Sequence, residues 1–146
     1  MRVRSTARGK SSGRQHLIAR IGDTLNLGAN DTYTHRDLDD PGNAAFQPTG
    51  VPTHKGFAYA DWSPIERLHV VPNIDIASDR WTVNTAGTRY YRTGSYVLAN
   101  LRIDYELIDG LVVGVGGRNL FNDTYQLADG FPEPGRSFFL SVKAQY

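Results

Sequence analysis

Residues 94–121 read GSYVLANLRIDYELIDGLVVGVGGRNLF, and their period decides the fold. Val97, Ala99, Leu101, Ile103, Tyr105 and Leu107 alternate with Leu98, Asn100, Arg102, Asp104 and Glu106. Helical spacing would scatter Arg102, Asp104 and Glu106 around an axis, whereas a period of about two sets all three on one face of a strand. Ile108-Asp109-Gly110 follows, and Asp-Gly is a hairpin dipeptide because the favoured two-residue turn needs positive φ at both central positions. Leu111, Val113 and Val115 then alternate in part with Gly114 and Gly116. The stretch reads as two strands joined by a tight turn.

The same period extends in both directions. Phe138, Leu140, Val142, Ala144 and Tyr146 fall on one face of a final strand, with Phe139, Ser141, Lys143 and Gln145 on the other. Leu25, Leu27, Ala29 and Tyr33 alternate with Asn26, Gly28, Asn30 and Thr32, and Leu68, Val70, Ile74 and Ile76 with His69, Asn73 and Asp75. We expect about seven strands, near 14–21, 24–36, 54–62, 66–80, 94–107, 111–121 and 136–146. Gly22-Asp23, Ser63-Pro64-Ile65-Glu66 and 108–110 are short connections; 37–53, 81–93 and 122–135 are long ones. Short and long alternate strictly, so every tight turn falls at one end of the sheet and every long loop at the other. A transmembrane β-barrel has this asymmetry, with strands of about ten residues and opposed apolar and polar faces. Hydrocarbon offers no partner to backbone groups, so such a sheet must satisfy them between strands. The expected class is all-β: an antiparallel up-and-down meander, part of a transmembrane barrel. Trp62, Tyr105 and Tyr146 lie towards the short-turn end, and Tyr33, Trp81, Tyr91, Phe121 and Phe138 towards the long-loop end, as two aromatic belts would.

Composition agrees. The chain has 146 residues, a formal charge of +1 and no cysteine. That excludes a disulfide framework, thiolate metal ligation and a cysteine nucleophile. No apolar run approaches the ~18 residues of a membrane-spanning helix. Residues 1–15 are basic but lack the apolar core of a signal peptide. Residues 1–13 are expected as a severed basic loop or disordered tail rather than a nucleic-acid arm, since no stacking aromatics accompany the charges.

From Gly114 to Tyr146 the chain reads GVGGRNLFNDTYQLADGFPEPGRSFFLSVKAQY. This stretch resembles the C-terminal end of a TonB-dependent outer-membrane receptor, on four features taken together. They are Asn119-Leu120-Phe121-Asn122, Tyr125, the Gly130–Arg136 core, and a last strand from Phe138 to an aromatic terminus at Tyr146. Thr32-Tyr33-Thr34, 51–55 (VPTHK) and 77–81 (ASDRW) resemble earlier landmarks of the same barrel, so residues 14–146 are similar to its final third. The resemblance implies an intact receptor of about 22 strands that takes up ferric siderophores or similar scarce nutrients. Its plug domain would be moved by TonB. Here no plug is recognisable, so TonB would act only through that domain, and the chain is expected to be a fragment unable to transport alone. The resemblance also implies that the barrel assembly machinery reads the last strand, through Phe138, Leu140, Val142 and Tyr146.

Among the loops, 80–92 concentrates Arg80, Trp81, Arg89, Tyr90, Tyr91 and Arg92. Cations and rings of this kind suit capture of an anionic, aromatic chelate such as a ferric siderophore. They suit equally a belt whose basic residues face lipopolysaccharide phosphates above the lipid. His35 and His54 flank the 37–53 loop, and Asp37, Asp39 and Asp40 cluster at its start, but neither set has the spacing of a metal site. No nucleophile elbow, phosphate loop or paired acids in a pocket appear, so we expect no enzyme, no cofactor and no nucleic-acid partner. Two other readings remain at this point. One is a soluble β-sandwich or small closed barrel that binds a ligand. The other is an outer-membrane barrel enzyme, for which no catalytic set is found.

Overall fold

The structure is a computed structural model, and it describes residues 7–38, 42–43 and 45–145. Seven strands form one antiparallel sheet in the order β1 (Ala7–Ile21), β2 (Leu25–Leu38), β3 (His54–Trp62), β4 (Leu68–Ala77), β7 (Tyr96–Ile108), β8 (Leu111–Arg118) and β11 (Ser137–Ala144). Two small hairpins stand in the long connections: β5 (Arg80–Val83) with β6 (Tyr90–Thr93), and β9 (Gln126–Ala128) with β10 (Phe131–Pro132). The sheet is a meander that stays open; among the described residues β1 pairs only with β2, and β11 only with β8.

Cross-strand register gives each face its chemistry. One row runs Leu25, Trp62, Val70, Ile103, Val115 and Leu140; another runs Ala29, Ala58, Ile74 and Ala99. The opposite face carries rows such as Asn30, Phe57, Asp75 and Leu98, or His69, Asp104, Gly114 and Ser141. The first face is an apolar band, broken by Gln15 and Asp31 on β1 and β2, that runs from Tyr33 and His54 at the long-loop end to Trp62 and Tyr105 at the short-turn end. From His54 to Trp62 the strand covers about 27 Å at ~3.4 Å per residue, about 20 Å of height after the usual barrel tilt, most of the ~25 Å band of a membrane barrel. Leu140 (79%), Phe138 (73%) and Leu17 (64%) are exposed on it. Total accessible surface is 10678 Å², against roughly 7,500 Å² for a compact protein of this mass. One layer has nothing to pack against, so the sheet carries no core of its own. This also removes the sandwich and the small closed barrel, each of which closes or stacks its sheet.

Burial gathers instead at the long-loop end, where Ala77, Arg80, Thr82, Thr93, Tyr96 and Asn119 lie under the hairpins. Several boundaries differ from expectation for local reasons. β1 begins at Ala7, so Ala7–Gly13 form strand where a loop was expected; the stretch lacks alternation, and its ladder to β2 fixes it. Residues 1–6 lie outside the described residues. The strand expected over 66–80 divides at Ser78-Asp79 into β4 and β5. The strand expected to reach 121 stops at Arg118, because Asn119 and Asn122 turn left-handed, at φ 50° and 56°, a region Asn tolerates better than most residues. No pairing joins Ala60 and Asp61 to Pro72 and Val71, although the register on both sides is unchanged; Pro72 has no N–H to give the ladder. Gly28 faces Tyr59 across the β2–β3 pair, and a Cβ there would collide with the tyrosine ring. Gly114 likewise leaves room for Asp104 and Ser141. These glycines admit close side chains.

Candidate functional site

The β5–β6 hairpin projects from the long-loop end and carries all six residues singled out in 80–92. Its turn is built by Asn84, whose Oδ1 accepts from the backbone N–H of Thr88 (2.7 Å) and Arg89 (2.9 Å). Pairing of Arg80 with Thr93, Trp81 with Arg92, Thr82 with Tyr91 and Val83 with Tyr90 divides the six between two faces. Trp81, Tyr90 and Arg92 fall on one, and Arg80 and Tyr91 on the other; Arg89 stands in the turn.

The first face looks towards the 42–53 loop. The Arg92 guanidinium lies 5.2 Å from the Trp81 ring centroid and donates to Asp79 at 2.7 Å. Tyr90 meets Phe46 edge to face at 6.1 Å. Trp81, Arg89 and Tyr90, with Asn43, Ala45 and Gln47, line a cleft of about 440 Å³. Beside it, Trp81 and Arg92 share a cleft of about 210 Å³ with His35, Arg36, Gln47 and Thr53. Three arginines, a histidine and an indole thus converge where the sheet opens at its loop end.

The second face is covered. Arg80 is 7% exposed, and its guanidinium lies 5.4 Å from the Tyr96 ring, which in turn packs on Tyr125 at 4.5 Å. Nε and Nη2 of Arg80 and Oδ1 of Asp75 are buried without a hydrogen-bond partner. Burial, then the charge of Glu133, raises the Tyr125 phenol pKa. Arg80 is therefore a support of the hairpin, not part of its open cleft. Tyr91 donates its hydroxyl to Asp129, which also accepts from the Thr85 N–H (2.8 Å) and hydroxyl (2.7 Å). These bonds, the Tyr91 bond first, hold the Asp129 carboxyl below the usual carboxylate range, and Asp129 raises the Tyr91 phenol. The carboxylate ties the two hairpins together.

A clamp fixes the second hairpin to the sheet. The Asn119 side chain accepts from the Asp123 N–H and donates to the Asp123 carbonyl, each at 2.8 Å. Asp123 accepts from the Val97 N–H (3.0 Å), and the Asn119 N–H donates to Asn100 Oδ1 (2.9 Å). Asn122 accepts from the Arg136 N–H (2.9 Å). The motif 119–122 contributes this architecture, a role its sequence alone does not state.

The other expected groups lie apart. His54 stacks on Tyr33 at 5.0 Å; Asp39, Asp40 and Tyr146 lie outside the described residues. Among the described residues no three His, Cys, Asp or Glu side chains gather as a metal site would require. Ser63, His69 and Asp61 come together towards the short-turn end, but Ser63 Oγ (3.2 Å) and Asp61 (3.0 Å) both contact His69 Nδ1. A hydrolytic triad needs the serine and the acid on opposite ring nitrogens, so this cluster is no catalytic relay. Phe138, Leu140 and Val142 lie on the exposed apolar face of β11.

No protein-family model matches the chain. It is 27% identical over 137 residues to the ferric-pyoverdine M114 receptor PbuA of Pseudomonas sp. strain M114, a match covering 85% of this chain and 17% of that receptor. The siderophore receptor PirA of Acinetobacter baumannii shares its fold with a TM-score of 0.74 at 19% identity, over 91% of this chain and 21% of PirA. The ferripyoverdine receptor of the Pseudomonas aeruginosa outer membrane gives 0.69 at 18% identity, over 90% and 19%. These relatives are receptors rather than enzymes, and the chain spans about a fifth of their length. In sequence and in fold, the chain is similar to a seven-stranded stretch of a TonB-dependent siderophore receptor of the outer membrane.

Proposed function

We propose that this chain supplies barrel wall and outer loops to a TonB-dependent outer-membrane transporter of ferric siderophores or similarly scarce nutrients. The observation that carries the reading is the pair of clefts beside Trp81, which bring Arg36, Arg89, Arg92, His35 and Tyr90 to the open end of the sheet. Such a set stacks on and neutralises an anionic aromatic chelate. The names of the relatives, ferric-pyoverdine and siderophore receptors, support the ligand class. The apolar face would meet lipid, and basic residues of the outer loops lipopolysaccharide. The assembly machinery would engage β11 by strand addition, through Phe138, Leu140, Val142 and the terminal Tyr146. TonB would act only through a plug domain, so the chain alone does not transport.

The test uses the chain folded in detergent micelles for binding, and iron-limited cells that produce only this chain for uptake. The micellar chain should bind ferric pyoverdine, and Trp81→Ala with Arg92→Ala should weaken binding about tenfold, the loss of one stacked cation. Growth on that chelate should not be restored. Recovery of the chain from the soluble fraction, or uptake by the chain alone, would overturn the reading.

A further inference from the structure

The β5–β6 hairpin lies between two loops that hold it differently. Its open face meets the 42–53 loop: the Gly50 N–H donates to the Trp81 carbonyl at 2.9 Å, and Phe46 stands against Tyr90. Its covered face rests on 122–135. Among the described residues, three hydrogen bonds reach 83–91 from outside the hairpin, and all three end on the Asp129 carboxylate. They come from the Tyr91 hydroxyl, the Thr85 N–H and the Thr85 hydroxyl. Asp129 is itself held in place. It stands in the turn between β9 and β10, ahead of Gly130 at φ 76°. The Asn119 clamp ties the start of that loop to β7, through Asp123 and the Val97 N–H. No residue of 122–135 lines either cleft beside Trp81.

We propose that Asp129 is a positioning residue for chelate capture, acting from outside the clefts on the strand pair whose other face carries Trp81, Tyr90 and Arg92; this rests on the reading above that the clefts hold a ferric siderophore. A two-stranded hairpin is marginal in water by itself, and β5 and β6 have four residues each. The cleft wall keeps one geometry while its back is tied, and a site already in its bound geometry loses less freedom when the ligand arrives. Binding then favours the tied state. Linkage requires the converse: a bound chelate strengthens the tie and slows the opening of a hairpin it never touches. The sign of the effect separates positioning from charge. Taking an acid away from behind a cationic cleft would, by charge alone, strengthen its hold on an anion. Loss of the tie weakens it.

The chain folded in detergent micelles is titrated with ferric pyoverdine, and amide exchange is followed with and without saturating chelate. Asp129→Ala should weaken binding on the order of tenfold, within the usual range for coupled sites. Asp129→Asn keeps an acceptor for the Thr85 N–H and should weaken it less. In the native chain, the amides of 126–131 should gain protection on saturation. In Asp129→Ala that gain should vanish while β2 and β3 stay protected. If alanine also loosens β2 and β3, Tyr91→Phe decides: it removes one of the three bonds and should lower affinity by a smaller factor. Unchanged or tighter binding in these variants, or unchanged exchange at 126–131 in the saturated native chain, would overturn the inference and leave the capture reading standing. A native chain that folds in micelles and binds no ferric pyoverdine would overturn both.

Discussion

Asn119 shows how much one residue can hold. It is 4% exposed, sits at φ 50°, and closes two hydrogen bonds with the backbone of Asp123. Alanine would lose those bonds and dislike the left-handed backbone, a local cost of about 2 kcal/mol. Amide exchange across 119–136 should then quicken on the order of 30-fold while β2 and β3 stay protected. Asn119→Gly keeps the backbone freedom and loses only the bonds, so it should fall between the two; equal protection in all three proteins would deny the clamp its role. Asp129 makes a pH prediction. Its carboxyl is held down by Tyr91 and Thr85, so its contribution is fully present above the unfolded carboxylate value and fades as pH falls through the lowered one. The Tyr91 phenol is raised, so its share is present below the ordinary value of 10.0 and fades as pH climbs through the raised one. Protection of the amides of 84–91 and 126–131, measured against their intrinsic exchange rates, should therefore be greatest between those limits. Tyr91→Phe should remove the alkaline loss and keep the acid one, through Thr85.

At the scale of the strand, the two faces make opposite demands. Ile74 stands in the row Ala29, Ala58, Ile74 and Ala99, midway between the aromatic borders of the apolar band. An arginine there should cost about 2–4 kcal/mol of membrane stability, as at a bilayer midplane. Leu98→Arg, one residue from Ala99 on the other face, should cost far less. Urea titrations of the two variants assembled in vesicles check this, and equal losses would contradict the assignment of faces. That assignment was legible in the sequence because a strand with one apolar face keeps a period of two, and β2, β4, β7, β8 and β11 follow it along most of their length. The small hairpins were not legible. Strands of four, three and two residues are shorter than any pattern that could declare them, and β9 and β10 owe their place to the Asn119 clamp and Asp129. The start of β1 was hidden for a related reason: RGKSSG has no apolar alternation, and only its partner β2 makes it a strand. Of the site, the residue types in 80–92 announced cations and rings, but the division that leaves Trp81 and Arg92 open and Arg80 covered follows from pairing. The long-range bonds of Asp129 to Thr85 and Tyr91 carry no local signal at all.

The described residues form one seven-stranded layer with two small hairpins at one end, and that governs stability. A soluble domain buries the apolar face of its sheet against a second layer; here Leu140, Phe138, Leu17 and Val142 remain mostly exposed. Ladders run through the sheet from β1 to β11, interrupted at Ala60 and Asp61 and shifted in register in β1 and β7, yet pairing alone contributes little net stability in water, where the unfolded chain bonds to solvent instead. The missing favourable term is removal of the apolar band from water, and it must come from an amphiphile. Diluted from urea into buffer, the chain should aggregate through its band and its edges. Diluted into detergent micelles, it should gain β-structure by circular dichroism, and its thermal midpoint should rise with micelle concentration, since binding to the folded state alone stabilises it by mass action. A monomer in plain buffer with a cooperative melt would show that the sheet sustains itself, and would remove the physical basis for placing it in a membrane.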